Sequence, residues 1–272
     1  MSDYDRNIAA APFGRTMGQV GSVAVDEGLR AYMLRIYNYM ALGLAITGCA
    51  ALGIYMLSVT GEMSAAAKVL RAGAEVPARI GNNTFLTPIG YFLFASYMKW
   101  VVMLAPLGMV LWLSFRIQSM SASTARTMFL VYSALMGVSL SSIFMVYTGG
   151  SIARVFFITA ASFGALSIFG YTTKKDLSAW GSFLFMGLIG IVIASLVNIF
   201  LGSSALQFAI SVIGVLVFAG LTAYDTQQIK EMYYEGDSGE VATKKSVMGA
   251  LRLYLDFINM FLMLLQLFGN RE

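Results

Sequence analysis

Apolar positions along this chain fall in long, nearly unbroken runs, not in the alternation of a half-buried strand or the narrow stripe of a surface helix. A helix that crosses a hydrocarbon core of about 30 Å needs about 20 mainly apolar residues. Seven runs approach that length: 34–59, 100–115, 128–147, 155–172, 182–200, 206–224 and 247–268. The pattern predicts an all-α membrane protein with seven transmembrane helices, the second run being the shortest.

The stretches between the runs differ in kind. Residues 148–150 and 201–204 leave room only for tight helical hairpins, so the helices they join run antiparallel. Residues 60–99 form the longest connection. Within it, 62–74 has helix-favouring composition, and Gly81-Asn82-Asn83 is a turn signal. Residues 85–98 turn apolar and aromatic again before Lys99-Trp100, a pair typical of the membrane interface. An interfacial segment leading into the second span is expected there, with 87–98 as part of an additional or re-entrant span as the alternative. Residues 1–33 are polar and read as a flexible tail, which leaves 34–269 as one transmembrane domain.

Composition agrees with this division: of 272 residues 58% are hydrophobic and only 12% charged, where a soluble domain carries about 25% charged residues. A net charge of +4 would suggest nucleic acid in a soluble protein. Here the basic residues flank apolar runs and act as topology signals, so no nucleic-acid partner is expected. The tail and alternate loops hold Arg6, Arg15, Arg30, Arg35, Arg116, Arg126, Lys174, Lys175, Lys230, Lys244 and Lys245. The other side holds Lys68, Arg71, Arg79, Lys99, Arg154 and Arg271. The positive-inside rule then places the N-terminus in the cytoplasm and, after seven crossings, the C-terminus outside. The chain has no His, which removes imidazole metal sites, His-dependent triads and the usual pH switch. Its single cysteine, Cys49, permits no intrachain disulfide and is expected as a small packing group in the first span.

Of the fourteen acidic residues, only Asp225 and Asp256 lie within the strongly apolar runs. A charge in hydrocarbon is costly, so an intramembrane carboxylate is a functional candidate by default. The two occupy consecutive helices. Counted from Lys230 and Lys245 at about 1.5 Å per residue, Asp256 lies about 9 Å deeper, unless the helices extend unequally into their shared loop. Within hydrogen-bond reach, two such groups share one proton and titrate as a coupled unit. Arg252, at i−4, is the local charge partner for Asp256, and Asn259, at i+3, extends a polar stripe along the same face. Such a stripe requires protein or water beside it, so the last helix is expected to be central. Arg116 and Arg126 flank a short connection from which either could reach Asp225.

Three motifs carry a resemblance: AYDTQQIK at the end of the sixth run, LYLDFINMF in the seventh, and TKKDLSAWGSFLFMGLIG from Thr173 to Gly190. The chain resembles the transmembrane Bax inhibitor motif family, or Bax inhibitor-1 family, in its bacterial branch. The resemblance covers about 34–269 and implies a seven-helix fold whose last helix is wrapped by two three-helix layers. It also implies a pH-sensitive calcium leak in the bacterial inner membrane. Asp225 and Asp256 would then be the pH-sensing pair on the ion pathway and transient ligands for Ca²⁺, with Arg116 as the latch. No catalytic residue, enzymatic activity or resident cofactor is expected. The partners are the bilayer and calcium ion. A different class of function is open alongside: a regulatory protein that binds or inhibits a membrane protease complex. An intramembrane aspartyl protease fits poorly, because Asp256 follows Leu253, Tyr254 and Leu255 where such enzymes carry GxGD. A retinal protein is excluded by the absence of Lys from 247–268.

Overall fold

A computed structural model describes residues 17–71, 74–80 and 84–271, with side chains over 27–70, 74–80 and 84–271. Seven of its helices are long and apolar enough to cross a membrane, and the protein is a multi-pass membrane protein. They are α1 (Met17–Ser58), α3 (Met98–Arg116), α4 (Ala122–Leu140), α5 (Gly149–Thr172), α6 (Ser178–Leu201), α7 (Ser204–Glu231) and α8 (Gly239–Phe268). The eighth helix, α2 (Pro88–Phe94), is short.

Hydroxyl side chains start several of these helices. Ser121, Ser203 and Ser238 accept from the backbone N–H groups of Thr124, Leu206 and Val241, satisfying donors that the first turn leaves unpaired. Helix α6 ends on Gly202, whose φ of +60° suits a residue without Cβ. That lets the chain reverse into α7 within two residues.

Helices α1 and α3 pack on α4, while α5 and α6 pack on α7. Helix α8 touches α1, α4, α5 and α7. It is the most enclosed element, with 67% of its apolar window buried against 17% for α6. Tyr254 on α8 is fully buried, stacked edge-on between Phe129 and Tyr132 of α4. Thr47 of α1 donates to Ser133 O at 2.8 Å and to Gly43 O at 2.9 Å. Its hydroxyl proton is therefore committed, and the Tyr254 hydroxyl, 2.7 Å away, donates to it.

The ends of the bundle differ. At one end lie Lys174, Lys175, Lys230, Lys244 and Lys245, together with the connections α3–α4, α5–α6 and α7–α8. This is the basic end. At the other, Gln207 Nε2 and Ser211 Oγ of α7 both donate to Gln266 Oε1 of α8, at 2.5 and 2.8 Å, and Asn198 Nδ2 donates to Gln207 Oε1 at 3.1 Å. There the chain after α8 docks on the α4–α5 junction, where Thr148 N–H donates to Asn270 O and Asn270 N–H to Ser151 Oγ.

Three expectations are revised, and one alternative is narrowed. The helix-favouring stretch 62–74 holds only a 3₁₀ turn, Met63–Ala65, followed by strand β2 (Lys68–Arg71) paired antiparallel with β3 (Ala74–Pro77). Tertiary pairing overrides the local alanine preference here: Ala67, Ala78 and Leu86 form a small apolar cluster beneath the hairpin. The turn Gly81-Asn82-Asn83 lies outside the described residues. Strands β1 (Val59–Thr60) and β4 (Phe85–Leu86) pair to return the loop to the end of α1. Second, over 87–98 the structure has α2, about 10 Å long at 1.5 Å per residue and too short to cross. Third, α1 begins at Met17, so residues 17–33 are helical here, whereas 1–16 lie outside the described residues. Fourth, Cys49 is exposed on α1 instead of packed within the bundle.

Helices α5 and α7 approach closely at Gly170, where a Cβ would collide with the backbone carbonyl of Ala223. Gly170→Leu is expected to cost about 1–3 kcal/mol by overpacking and to lower the melting midpoint in detergent by several degrees. Gly190→Leu on α6, where a Cβ meets nothing within 4 Å, is expected to leave it unchanged. Equal midpoints for the two variants would contradict this packing.

Candidate functional site

Helices α7 and α8 are antiparallel neighbours joined by residues 232–238, and this connection is pinned from α8. Lys245 Nζ pairs with Asp237 Oδ2 at 2.6 Å and donates to Met232 O at 3.0 Å. One helical step further in, Gly249 has no side chain to hold the helices apart, and Ile229 closes on it. That contact sets the register. Asp225 is four residues from Ile229 and Asp256 seven from Gly249, a difference of three residues, or about 4.5 Å along the axis. Side chains span that offset. The 9 Å expected from counting lysines overstates it because α8 begins at Gly239, well before Lys245.

The carboxyl groups of Asp225 and Asp256 lie close enough to act on each other. Asp256 is 5% exposed and Asp225 half-buried. Oδ2 of Asp256 is buried and has no hydrogen-bond partner among the described residues, so a proton on either carboxyl is what would satisfy it. A hydrogen bond between two carboxyl groups requires one proton held between them. The pair is thus two carboxyl groups facing each other on neighbouring helices inside the bundle.

The remaining expected residues are placed differently. Asn259, partly buried, donates to its own helix at Leu255 O, 2.8 Å away. Arg252 is exposed and forms no ion pair with Asp256 among the described residues. Four residues turn a helix through about 400°, so the i−4 position is rotated about 40° from Asp256, enough to carry a long side chain outward. Its charge still acts on both carboxyl groups. Arg116 and Arg126 are exposed and pair with neither aspartate among the described residues. At the α5–α6 turn, Asp176 Oδ1 accepts from Ser178 N–H at 2.8 Å, which holds that exposed carboxyl below its usual range.

Hydroxyl groups that the sequence does not distinguish from ordinary helix surface support the site. Thr226, beside Asp225, donates to Thr222 O at 2.7 Å. Ser167 of α5 therefore donates to Thr226, 2.9 Å away, and Tyr37 of α1 donates to Ser167 at 2.5 Å. Gln227 ties the α5–α6 turn to α7, accepting from Leu177 N–H and donating to Lys175 O. Three helices are thus latched beside Asp225.

The model of the family described as Inhibitor of apoptosis-promoting Bax1 matches residues 29–272. The chain belongs to this family. Its similarity to a protein of Rickettsia prowazekii (strain Madrid E), Uncharacterized protein RP147, is 45% identity over the whole of both chains. It is 46% identical over 247 residues to Inner membrane protein YbhL of Escherichia coli (strain K12), covering 90% of this chain and 94% of that one. An uncharacterized protein of Caulobacter vibrioides is 43% identical along the full length of both.

For this member of the Bax inhibitor-1 family, the pair offers up to four carboxylate oxygens once deprotonated. Ca²⁺ takes 6–8 oxygen ligands, and among the described residues no group of three or more acidic, thiol or imidazole side chains gathers anywhere. A proton shared by the two carboxyls would be given up as pH rises, leaving two anionic groups facing each other. The melting midpoint of the wild type is expected to fall by a few degrees across that step. Asp225→Asn, whose amide donates to Asp256 without a shared proton, is expected to lack the step. Superimposable pH profiles would argue against proton sharing.

Proposed function

We propose that this protein is a pH-sensitive leak for calcium or a similar cation, gated by protonation of the Asp225–Asp256 pair, and that it is not an enzyme. The observation that supports the reading is the unpartnered, buried carboxyl of Asp256 beside Asp225 on the neighbouring helix of a membrane-spanning bundle. With the proton in place, the bond closes α7 against α8. Without it, repulsion separates the helices and the freed oxygens are hard ligands of the kind a divalent cation prefers. Proton binding and cation passage then compete for the same atoms.

The proposed setting is the bacterial inner membrane, which the name of the Escherichia coli relative supports for that protein. With seven crossings and the basic asymmetry of the loops, the N-terminus and the basic end face the cytoplasm, so the pair reads cytoplasmic pH. Arg252, whose charge acts on both carboxyls, is favoured over Arg116 as the basic residue that tunes the gate.

Reconstitution in liposomes with an enclosed calcium dye tests the gate. Wild-type flux is expected to differ several-fold between about pH 6 and about pH 8, the range into which a desolvated carboxylate pair can shift. Asp225→Asn and Asp256→Asn are each expected to flatten that response. Flux of unchanged size and pH profile in both variants would reject the gate and shift weight to a regulatory partner such as a membrane protease complex. Orientation is checked separately in a Cys49→Ala background: a cysteine placed near Glu272 is expected to react only with reagent added from outside the cell. Reaction from the cytoplasmic side alone would overturn the assignment.

A further inference from the structure

Helices α1 and α5 both lean on α8 yet barely touch each other, leaving a cleft of about 590 Å³ that opens sideways, where the bilayer would be. Its walls are apolar. Met33 and Met40 of α1 face Phe163 of α5, and Phe257 of α8 forms the floor, edge-on to Phe163 with centroids 5.6 Å apart. The cleft runs along α1 from Arg30 to Leu44, about 21 Å at 1.5 Å per residue. Half of a bilayer with its headgroup layer is about 20–22 Å thick. The cleft therefore has the reach of one leaflet, from headgroup to midplane.

Its mouth is positive. Arg30 lines it, is exposed, and forms no ion pair among the described residues. Tyr171 lines the opposite lip, and Lys230 Nζ sits 5.3 Å from the centre of its ring while donating to its carbonyl at 2.8 Å. Midway down, the bond from Tyr37 to Ser167 bridges the two walls. A long apolar slot with an arginine at its mouth and a lysine behind one lip matches an amphiphile with a hydrocarbon tail and an anionic head. Basic pockets between membrane helices recognise such headgroups.

We propose that the α1–α5 cleft is a binding site for an anionic phospholipid, with one acyl chain along Met33, Met40, Phe163 and Phe257 and the phosphate at Arg30. The lipid then lies against the Tyr37–Ser167–Thr226 chain, one residue from Asp225, and its seat does not depend on what passes through the bundle.

The full chain is placed in phosphatidylcholine vesicles carrying either a phosphatidylglycerol or a phosphatidylcholine probe with a photoactivatable group in mid-chain, and adducts are mapped by peptide mass spectrometry. Phosphatidylglycerol is expected to label α1 and α5 cleft peptides about fivefold more than phosphatidylcholine, the preference one basic residue gives at an anionic surface. Arg30→Gln, an exposed change, is expected to erase that preference. Gly164 lines the cleft and a Cβ there meets nothing within 4 Å, so Gly164→Phe fills it and is expected to reduce cleft adducts about tenfold while leaving those on α6 unchanged. Equal labelling of wild type by both probes would overturn the headgroup assignment. Cleft adducts no denser than those on the outer face of α6 would overturn the site itself.

Discussion

Hydrocarbon offers no hydrogen-bond partner, and everything distinctive about this bundle follows from that. A helix carrying Asp256 in mid-span cannot face lipid without a large penalty, so α8 must be surrounded, and the surrounding helices must supply a polar partner at one depth. Asp225 is that partner, and α7 must then run beside α8 in a register set by Gly249 and Ile229. Once α7 and α8 are fixed, α5 follows through Gly170 and Ser167, and α1 and α4 follow through the Thr47–Tyr254–Ser133 contacts. Helices α3 and α6, which carry no such polar obligation toward α8, sit on the outside.

This ordering explains which features could be read from the chain alone. Seven spans were legible because hydropathy over twenty residues is a strong signal, and the aspartates stood out because acids are so rare in the apolar runs. Arg252 was misleading for a geometric reason: i−4 spacing implies a shared face only to within about 40°, which decides the fate of a side chain as long as arginine. The hairpin β2–β3 was illegible because an alanine-rich stretch favours helix until a partner strand and a small apolar cluster are present. Tyr37, Ser167 and Thr226 carried no signal at all, since hydroxyl residues are common in membrane helices and only packing reveals that three of them lie in line.

The bundle also separates two environments that a hydropathy profile averages. Toward α8, apolar packing is dense and punctuated by hydrogen-bonded hydroxyls such as those of Thr47 and Tyr254. Between α1 and α5, the same kinds of side chain leave a slot open to the side. The difference comes from partnership: α1 leans on α4 and α8, and α5 on α7 and α8, so neither is drawn across the gap except at Tyr37 and Ser167. The aspartate pair and the slot are therefore two sides of one wall.

The joints between α7 and α8 have a mechanical corollary. Lys245 clamps the pair at the connecting turn, and Gln266 holds Gln207 and Ser211 at the far end. Two rods fastened at both ends cannot swing apart like a hinge; they separate only by flexing between the fastenings, as a beam does. Deflection of such a beam is resisted by its own backbone hydrogen bonds, is confined to the stretch that holds the aspartates, and reverses elastically when the load is removed. A bundle built this way can loosen at its centre while its two ends stay closed.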